Sequence, residues 1–210
     1  MRREAEHARY DRATVDAVLD AALMCHLAFV HDGQPYAVPM LHARVGDVVY
    51  LHGSTGSRLM RGLRAGLPAC LTVTLLDGLV LARSTYNSSA NFRSVMLLGS
   101  VAEVGGGDKL AALEAFTDKT LPGRWAETRP PDRKELAATL VLAMPITEAS
   151  AKVRTGPPSD GDGPDGGLPH WAGELPLHTA WGSPVPDPTL RPGIPVPPSV
   201  RRVSGQARRA

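Results

Sequence analysis

Long apolar runs are missing from this sequence of 210 residues. A membrane-spanning helix needs about 20 predominantly apolar residues in succession, and no such segment occurs. The first residues, Met1–Glu6, mix charges of both signs and include no apolar stretch, which is unlike the start of a secretory signal peptide. We therefore expect a cytoplasmic protein that makes no contact with a membrane.

Cysteine is nearly absent too, since Cys25 and Cys70 are the only two. Both have apolar neighbours, and two buried thiols are expected rather than a disulfide framework or a zinc site. The seven histidines form no pair with metal-ligand spacing, so no metal site is expected. A net charge of +2 with only 5% aromatic residues does not indicate a nucleic-acid-binding surface.

Proline is concentrated near the C-terminus, where 12 of the 19 prolines lie between Pro157 and Pro198. Periodic apolar segments come before this region, and a Gly- and Asp-rich segment opens it. We predict a folded domain over residues 1–156, a flexible linker over 157–167 and an extended proline-rich arm and tail over 168–210. Within the arm, Trp171–Trp181 is apolar enough to add a strand.

Turn signals between β-branched runs predict an antiparallel meander. Asp32-Gly33, Gly46-Asp47 and Asp77-Gly78 each separate two such runs, and these pairs favour tight hairpins because both turn positions prefer positive φ. Further strands are predicted over about Asn91–Val104 and Thr139–Ile146. The predicted fold is mainly β (α+β), an antiparallel barrel that closes its own edges and carries a few peripheral helices.

Helix signals interrupt these strands. Thr14 is expected to cap a short helix, and a second helix is predicted over Ser57–Ala65. A third helix is predicted over Asp108–Thr120. A fourth, short helix is expected to begin at Asp132, where Glu135 stands three residues later and completes a capping box.

The segment Leu51–Arg58 joins a predicted strand to a predicted helix. Gly53 and Gly56 allow a ligand to approach the backbone closely, and the helix N-terminus presents free N–H groups. Arg58 adds a charge that suits two phosphate oxygens. A phosphate cradle and an ordinary polar turn capped by Ser57 both fit this pattern. A Walker loop does not, because the Gly-Lys-Ser/Thr ending is missing.

Two other segments are unusual for plain strands. Pro39 lies inside a strand pattern, where proline removes a ladder hydrogen bond. This predicts an edge strand, a bulge, or a flat ring held against Val38–Met40. In Asn91–Ser94, alternation sends Arg93 to the face opposite Ser94, and a plain surface arginine is the alternative interpretation.

Several stretches together resemble the flavin-nucleotide-binding branch of the pyridoxamine 5′-phosphate oxidase superfamily, which also includes nitroimidazole-resistance proteins. These stretches are Gly33–Tyr36, Val49–Gly53, Gly56–Arg58, Leu75–Ser84, Asn91–Val95, Pro122–Trp125 and Ala151–Gly156. The likeness covers roughly Tyr10 to Pro158 and, more weakly, Trp171 to Pro198.

The resemblance implies a split β-barrel that forms a homodimer with FMN in a cleft between the subunits; the deazaflavin F420 is the alternative cofactor. Val38–Leu41 would flank the flavin ring, while Ser57 and Arg58 would take the phosphate. His42 or His52 is a further functional candidate. Carried over position by position, the cofactor-binding residues are Val38, Pro39, Met40, Leu41, Leu51, His52, Gly53, Ser57, Arg58, Arg93, Ser94 and Lys152.

The sequence also departs from that family. In the true oxidases an arginine and a lysine on the ring-flanking strand hold FMN, whereas Val38 and Ala43 stand at those places here. The C-terminal arginine-rich substrate motif is not evident, so synthesis of pyridoxal phosphate is not expected. Asn87–Ala90 stands where relatives often carry histidines and a methionine.

These observations favour an FMN-dependent oxidoreductase acting on a small molecule that the sequence does not identify. In such a site the flavin performs the redox chemistry and the protein positions it; no acid or base residue is identifiable. One alternative is a flavin-binding carrier or sensor without turnover. Another is a small barrel that binds nucleic acid through Arg58, Arg61 and Arg64. Analogy of fold does not decide between them.

Overall fold

The computed structural model describes residues 5–205, so the first four residues and the tip of the predicted tail lie outside it. The helices are α1 (Arg12–Ala21), α2 (Arg58–Arg64), α3 (Gly106–Thr120), α4 (Arg133–Ala138) and α5 (Pro198–Val203). The strands are β1 (Ala8–Arg9), β2 (Met24–His31), β3 (Gln34–Leu41), β4 (Ala43–Val45), β5 (Val48–Ser54), β6 (Ala69–Leu81), β7 (Ser89–Gly99), β8 (Ala102–Glu103), β9 (Thr139–Pro145), β10 (Glu148–Arg154) and β11 (Gly173–Pro176).

The strands form an antiparallel barrel that is split into two sheets. The larger sheet has the order β1-β10-β7-β6-β2-β3, and the smaller has the order β4-β5-β9-β8. The chain passes from β3 to β4, and so from one sheet to the other, through His42. The predicted mainly β, antiparallel architecture with few helices is confirmed.

The core lies between the two sheets and under α1. Many of its members are fully buried leucines, and burial of each such side chain stabilises the fold by about 1.5–3 kcal/mol. Alternation along each strand sends these residues inward. They are Leu27, Leu71 and Leu97 from the larger sheet, Leu51 and Leu142 from the smaller sheet, and Leu19 from α1.

Side chains cap the starts of α1, α2 and α4, whereas α3 begins at Gly106, two residues before the predicted Asp108, and its N-cap Gly105 offers no side chain. The N-cap of α1 is Asp11, whose carboxylate accepts the backbone N–H of Thr14 at 2.8 Å. The prediction of Thr14 as the cap is therefore wrong, because an equally good cap stands three residues earlier. The predicted capping box of α4 is confirmed, since Asp132 and Glu135 each accept the other's backbone N–H.

Two of the three predicted hairpin turns are confirmed. Asp32 and Gly33 have φ of 51° and 75°, as a tight turn between twisted strands requires. Gly46 has φ of 57° and separates β4 from β5. The first turn pairs β2 with β3, and the second pairs β4 with β5.

The third turn, at Asp77-Gly78, is not formed. Strand β6 runs through this pair, with a bulge between Leu76 and Gly78. Gly78 pairs with Asn91 of β7 and with Pro176 of β11. A Cβ at Gly78 would lie 2.7 Å from the carbonyl oxygen of Leu175, so this glycine allows close approach of strands rather than a turn.

The C-terminal arm packs against the barrel. The predicted strand within 171–181 is confirmed, because β11 pairs with the end of β6 that β2 does not reach. Inside the predicted linker, the buried carboxylate of Asp160 accepts the backbone N–H of Arg83 at 2.7 Å and lies 3.2 Å from Nη1 of its guanidinium. The division of the chain at residues 156 and 167 stays a prediction.

Among the described residues, no helix is long and apolar enough to cross a bilayer.

Candidate functional site

A cavity of about 700 Å³ opens between β5, α3 and the segment that joins α3 to α4. This volume lies in the range of small-molecule and cofactor sites. Apolar and aromatic side chains share its wall with four threonines, two arginines, a histidine and a glutamate. The residues used below are Leu41, His52, Phe116, Arg124, Trp125 and Arg129.

His52 reaches this cavity because of the alternation along β5. Leu51 points inward and is fully buried in the core, so it can offer a cofactor only its backbone. The next side chain, His52, points outward, and its ring meets that of Phe116 edge-on with centroids 4.4 Å apart.

The imidazole of His52 is only partly satisfied. Its Nδ1 is enclosed and has no hydrogen-bond partner among residues 5–205. Burial lowers the pKa of His52, which favours the neutral ring at pH 7. A neutral imidazole is a good metal ligand through either ring nitrogen, and Nε2 is the nitrogen left to serve a group in the cavity.

The two arginines of the cavity differ in their partners. Arg129 forms a bidentate pair with Glu135, with N–O distances of 2.8 and 2.6 Å, so its charge is balanced. Nη1 of Arg124 lies 3.6 Å from Oε2 of Glu127, which is long for a hydrogen bond. Arg124 is thus the cation better placed to receive an anionic ligand.

The loop before α2 shows features of both a phosphate cradle and an ordinary capped turn. The hydroxyl of Ser57 accepts the backbone N–H of Met60 at 3.4 Å, as the capped-turn interpretation expects. A Cβ at Gly53 would lie 2.9 Å from Cγ of Met60, so this glycine lets α2 pack on β5. Arg58 is exposed and has no side-chain partner in the described part of the chain, which leaves its charge available to a phosphate.

Strand β3 holds the residues expected beside a flavin ring. It is the last strand of the larger sheet, and an edge strand tolerates the missing N–H of Pro39. Val38 and Met40 pack against the core. Pro39 is exposed, and Leu41 lines the cavity beside His52.

The other expected cofactor residues lie across the larger sheet. Arg93 pairs with Asp77 through two hydrogen bonds of 2.9 and 2.7 Å, so its charge is balanced. Ser94 faces Lys152 in register and donates to its carbonyl oxygen at 3.4 Å. Measured along the sheet from β3, strands β7 and β10 are three and four steps away, or about 14 and 19 Å. One chain therefore does not gather all the expected residues at one point.

Of the two histidine candidates, only His52 lines the cavity. His42 is 2% exposed, and its Nε2 lies 2.9 Å from the carbonyl oxygen of Leu19. Phe116 and Trp125 were not predicted as cavity residues. Their only signals were the apolar pattern of α3 and the stretch Pro122–Trp125, which resembled the family without suggesting a role.

The outer face of the larger sheet carries exposed apolar side chains. Met24, Val30 and Met96 are 46%, 56% and 42% exposed. Neighbouring strands place Ala28, Cys70 and Leu98 side by side on this face. Apolar residues grouped in this way on a sheet surface are typical of a face that another surface covers.

Comparison with known proteins gives a consistent result. The family model described as pyridoxamine 5′-phosphate oxidase matches residues 11–153, and no curated protein matches the chain. The FAD- and heme-binding protein from Mycobacterium smegmatis is 43% identical with a TM-score of 0.92, covering 97% of this chain and 100% of that one. The flavocytochrome Anf3 from Azotobacter vinelandii is 44% identical with a TM-score of 0.91, covering 97% and 94%.

A more distant structure shares the fold. It is a suggested 5-nitroimidazole antibiotic resistance protein from Bacteroides thetaiotaomicron VPI-5482, with 21% identity and a TM-score of 0.58. The match covers 70% of this chain and 86% of that one. At this identity the likeness concerns the split-barrel architecture alone.

Proposed function

Because this chain belongs to the pyridoxamine 5′-phosphate oxidase family, we propose that it is a flavin-binding redox protein whose cavity at His52 holds a second group, a heme. The observation that carries the heme is the neutral, partly unsatisfied imidazole of His52 in the wall of a cavity of about 700 Å³. The relative from M. smegmatis, named for FAD and heme, points the same way.

The cavity fits a heme in three respects. Phe116 and Trp125 offer flat apolar surfaces to a porphyrin. Nε2 of His52 would hold the heme iron, and Arg124 in the cavity wall would pair with a propionate carboxylate. A heme supplies one-electron chemistry; the chain's part is to hold it, to exclude water from its faces and to balance its charge.

The flavin belongs in a different place, a cleft between two copies of the chain. The expected ring residues on β3 lie about 14 Å or more along the sheet from those on β7 and β10. In a homodimer, β3 of one subunit can meet β7 and β10 of the other. The apolar outer face of the larger sheet is the surface that such a dimer would bury.

The flavin is FMN, as the resemblance implies, or FAD, as the name of the M. smegmatis relative suggests. Either has a phosphate for Arg58, the exposed cation at the start of α2. The activity we propose is oxidoreduction of a small molecule, with the flavin and the heme passing electrons inside one protein. A carrier or sensor without turnover uses the same sites.

Absorption spectra test the proposal. The purified chain is titrated separately with FMN, FAD and hemin, and each complex is then reduced with a nicotinamide donor. We expect a flavin spectrum, a shifted Soret band with hemin, and loss of that shift in His52→Ala. His170→Ala, at an exposed position of the arm, is the matched control. Identical hemin titrations for His52→Ala and the unsubstituted chain would contradict the heme assignment. Bound flavin that no donor reduces would favour the carrier.

A further inference from the structure

The segment between α3 and α4 is held from behind by the C-terminal helix α5. Ser199 is fully buried; its backbone N–H donates to Oε1 of Glu127 at 2.9 Å, and its hydroxyl donates to Oε2. Nη2 of Arg202 donates to the carbonyl oxygen of Pro122 at 2.6 Å. The helix thus forms hydrogen bonds on both sides of Arg124, at Pro122 and at Glu127, and Arg124 belongs to the cavity wall.

The carboxylate of Glu127 is shared between the arm and the cavity. Both of its oxygens accept hydrogen bonds from Ser199, while the guanidinium of Arg124 stays 3.6 Å away. Arg124 forms with Glu127 an ion pair that is longer than a hydrogen bond, and, after the hydrogen bonds from Ser199, it contributes to the lowered pKa of Glu127. The other N–H groups of Arg124 can meet an anion in the cavity, and charge-assisted pairs of this kind are strong.

We propose that Ser199 and Glu127 are positioning residues for Arg124. By binding the Glu127 carboxylate, α5 keeps it from pairing closely with Arg124, and Arg124 then receives a carboxylate of the ligand. The C-terminal arm in this way makes the cavity selective for anionic ligands. The inference rests on the proposed function, because the ligand considered is heme, which carries two propionates.

The test uses variants that act on Glu127 from opposite sides. Ser199→Ala removes the hydroxyl donor, and Ser199→Pro also removes the N–H at a position where the first turn of a helix tolerates proline. Glu127 then turns to Arg124 and competes with the ligand, so hemin binding weakens about three- to fivefold. Glu127→Gln removes the competing charge, and hemin binds as tightly or more tightly. Ser204→Ala, at the C-cap of α5 and bonded to Val200, is the matched control.

A neutral ligand shows whether the variants change recognition of the carboxylates or of the porphyrin ring. Hemin dimethyl ester has the same ring without carboxylates, so the Ser199 variants bind it as the unsubstituted chain does. Arg124→Ala loses the preference for hemin over the ester, which tests the inference even if a Ser199 variant does not fold. Dissociation constants come from absorbance titrations, with no turnover required.

The outcomes distinguish this inference from the proposed function. Weaker hemin binding in both Ser199→Ala and Glu127→Gln would mean that the substitutions only disorder the cavity wall, and it overturns the inference. Unchanged hemin affinity in both Ser199 variants overturns it as well. In either case the heme proposal stands, provided the unsubstituted chain binds hemin through His52. If the unsubstituted chain binds neither porphyrin, both the heme proposal and this inference fall.

Discussion

The Nε2 atom of His42 lies 2.9 Å from the backbone carbonyl oxygen of Leu19 and 3.0 Å from Nζ of Lys119. Leu19 belongs to α1 and Lys119 to α3, so both helices contact His42 at the point where the chain passes from β3 to β4. Burial first, and the charge of Lys119 second, lower the pKa of His42 to about 4. The ring is therefore neutral in the folded protein at pH 7.

This contact predicts a loss of stability in mild acid. The unfolded chain has a histidine pKa of about 6.5, so between about pH 6.5 and 4 it binds a proton that the folded chain resists. Stability is therefore fully present above about pH 6.5 and falls as the pH drops toward 4, by on the order of 3 kcal/mol. Burial of His52 lowers its pKa too and adds to the loss in the same direction.

Urea unfolding at a series of pH values measures the effect. In His42→Gln, the dependence of the free energy of unfolding on pH becomes shallower over this window. His170→Gln, at an exposed position, keeps the original slope. An unchanged slope in His42→Gln contradicts the assignment.

Local signals predicted most of the strands and missed those that depend on distant partners. The turn at Asp32-Gly33 and the capping box at Asp132 are determined by neighbouring residues. Strand β10 was not predicted, because Glu148–Arg154 is largely polar and is held by pairing with β7 far along the chain. Gly78 was wrongly predicted to form a turn. A glycine is needed there because Leu175, which is far along the chain, approaches its backbone closely.

The candidate site also combines features that follow from local sequence with features that depend on tertiary contacts. Alternation along β5 explains why Leu51 points inward and His52 outward. The cavity itself arises where α3 and the following segment pack over β5, so Phe116 and Arg124 join His52 only through tertiary contacts. The charge balance of Arg93 depends on Asp77, and no local pattern in the sequence indicates that pair.

Substitution of Gly78 tests the close approach of β6 and β11. In Gly78→Ala the new methyl group meets the carbonyl oxygen of Leu175, so we expect a loss of about 1–3 kcal/mol. Hydrogen exchange then speeds up in β11 and in its partner residues. Gly107→Ala, in α3 with open space around its Cβ position, is expected to be neutral or slightly stabilising. Equal stability of the two variants contradicts the close packing.

The proposed dimer predicts that a charge on the outer face of the larger sheet separates the subunits. Met96→Asp places a carboxylate among the apolar residues that two copies would bury, and an unpaired buried charge is costly. Sedimentation equilibrium should show a shift from two copies to one. Tyr86→Asp, at a side chain that is 90% exposed in the turn before β7, should keep the mass of the original assembly. If the original chain sediments as one copy, the shared-cleft model is wrong.

The phosphate assignment makes the most specific prediction for flavin binding. Arg58→Ala removes the exposed cation at the start of α2 and with it a charge-assisted bond worth about 1.5–3 kcal/mol. FMN affinity should fall about 10- to 100-fold, measured by quenching of flavin fluorescence. The melting temperature without flavin should stay unchanged, because Arg58 has no side-chain partner in the described part of the chain. Arg61→Ala, on the same helix three residues further, controls for the general loss of positive charge and should weaken binding much less. Equal effects of the two substitutions would mean that α2 attracts the flavin only through its overall charge, with no specific contact between Arg58 and the phosphate.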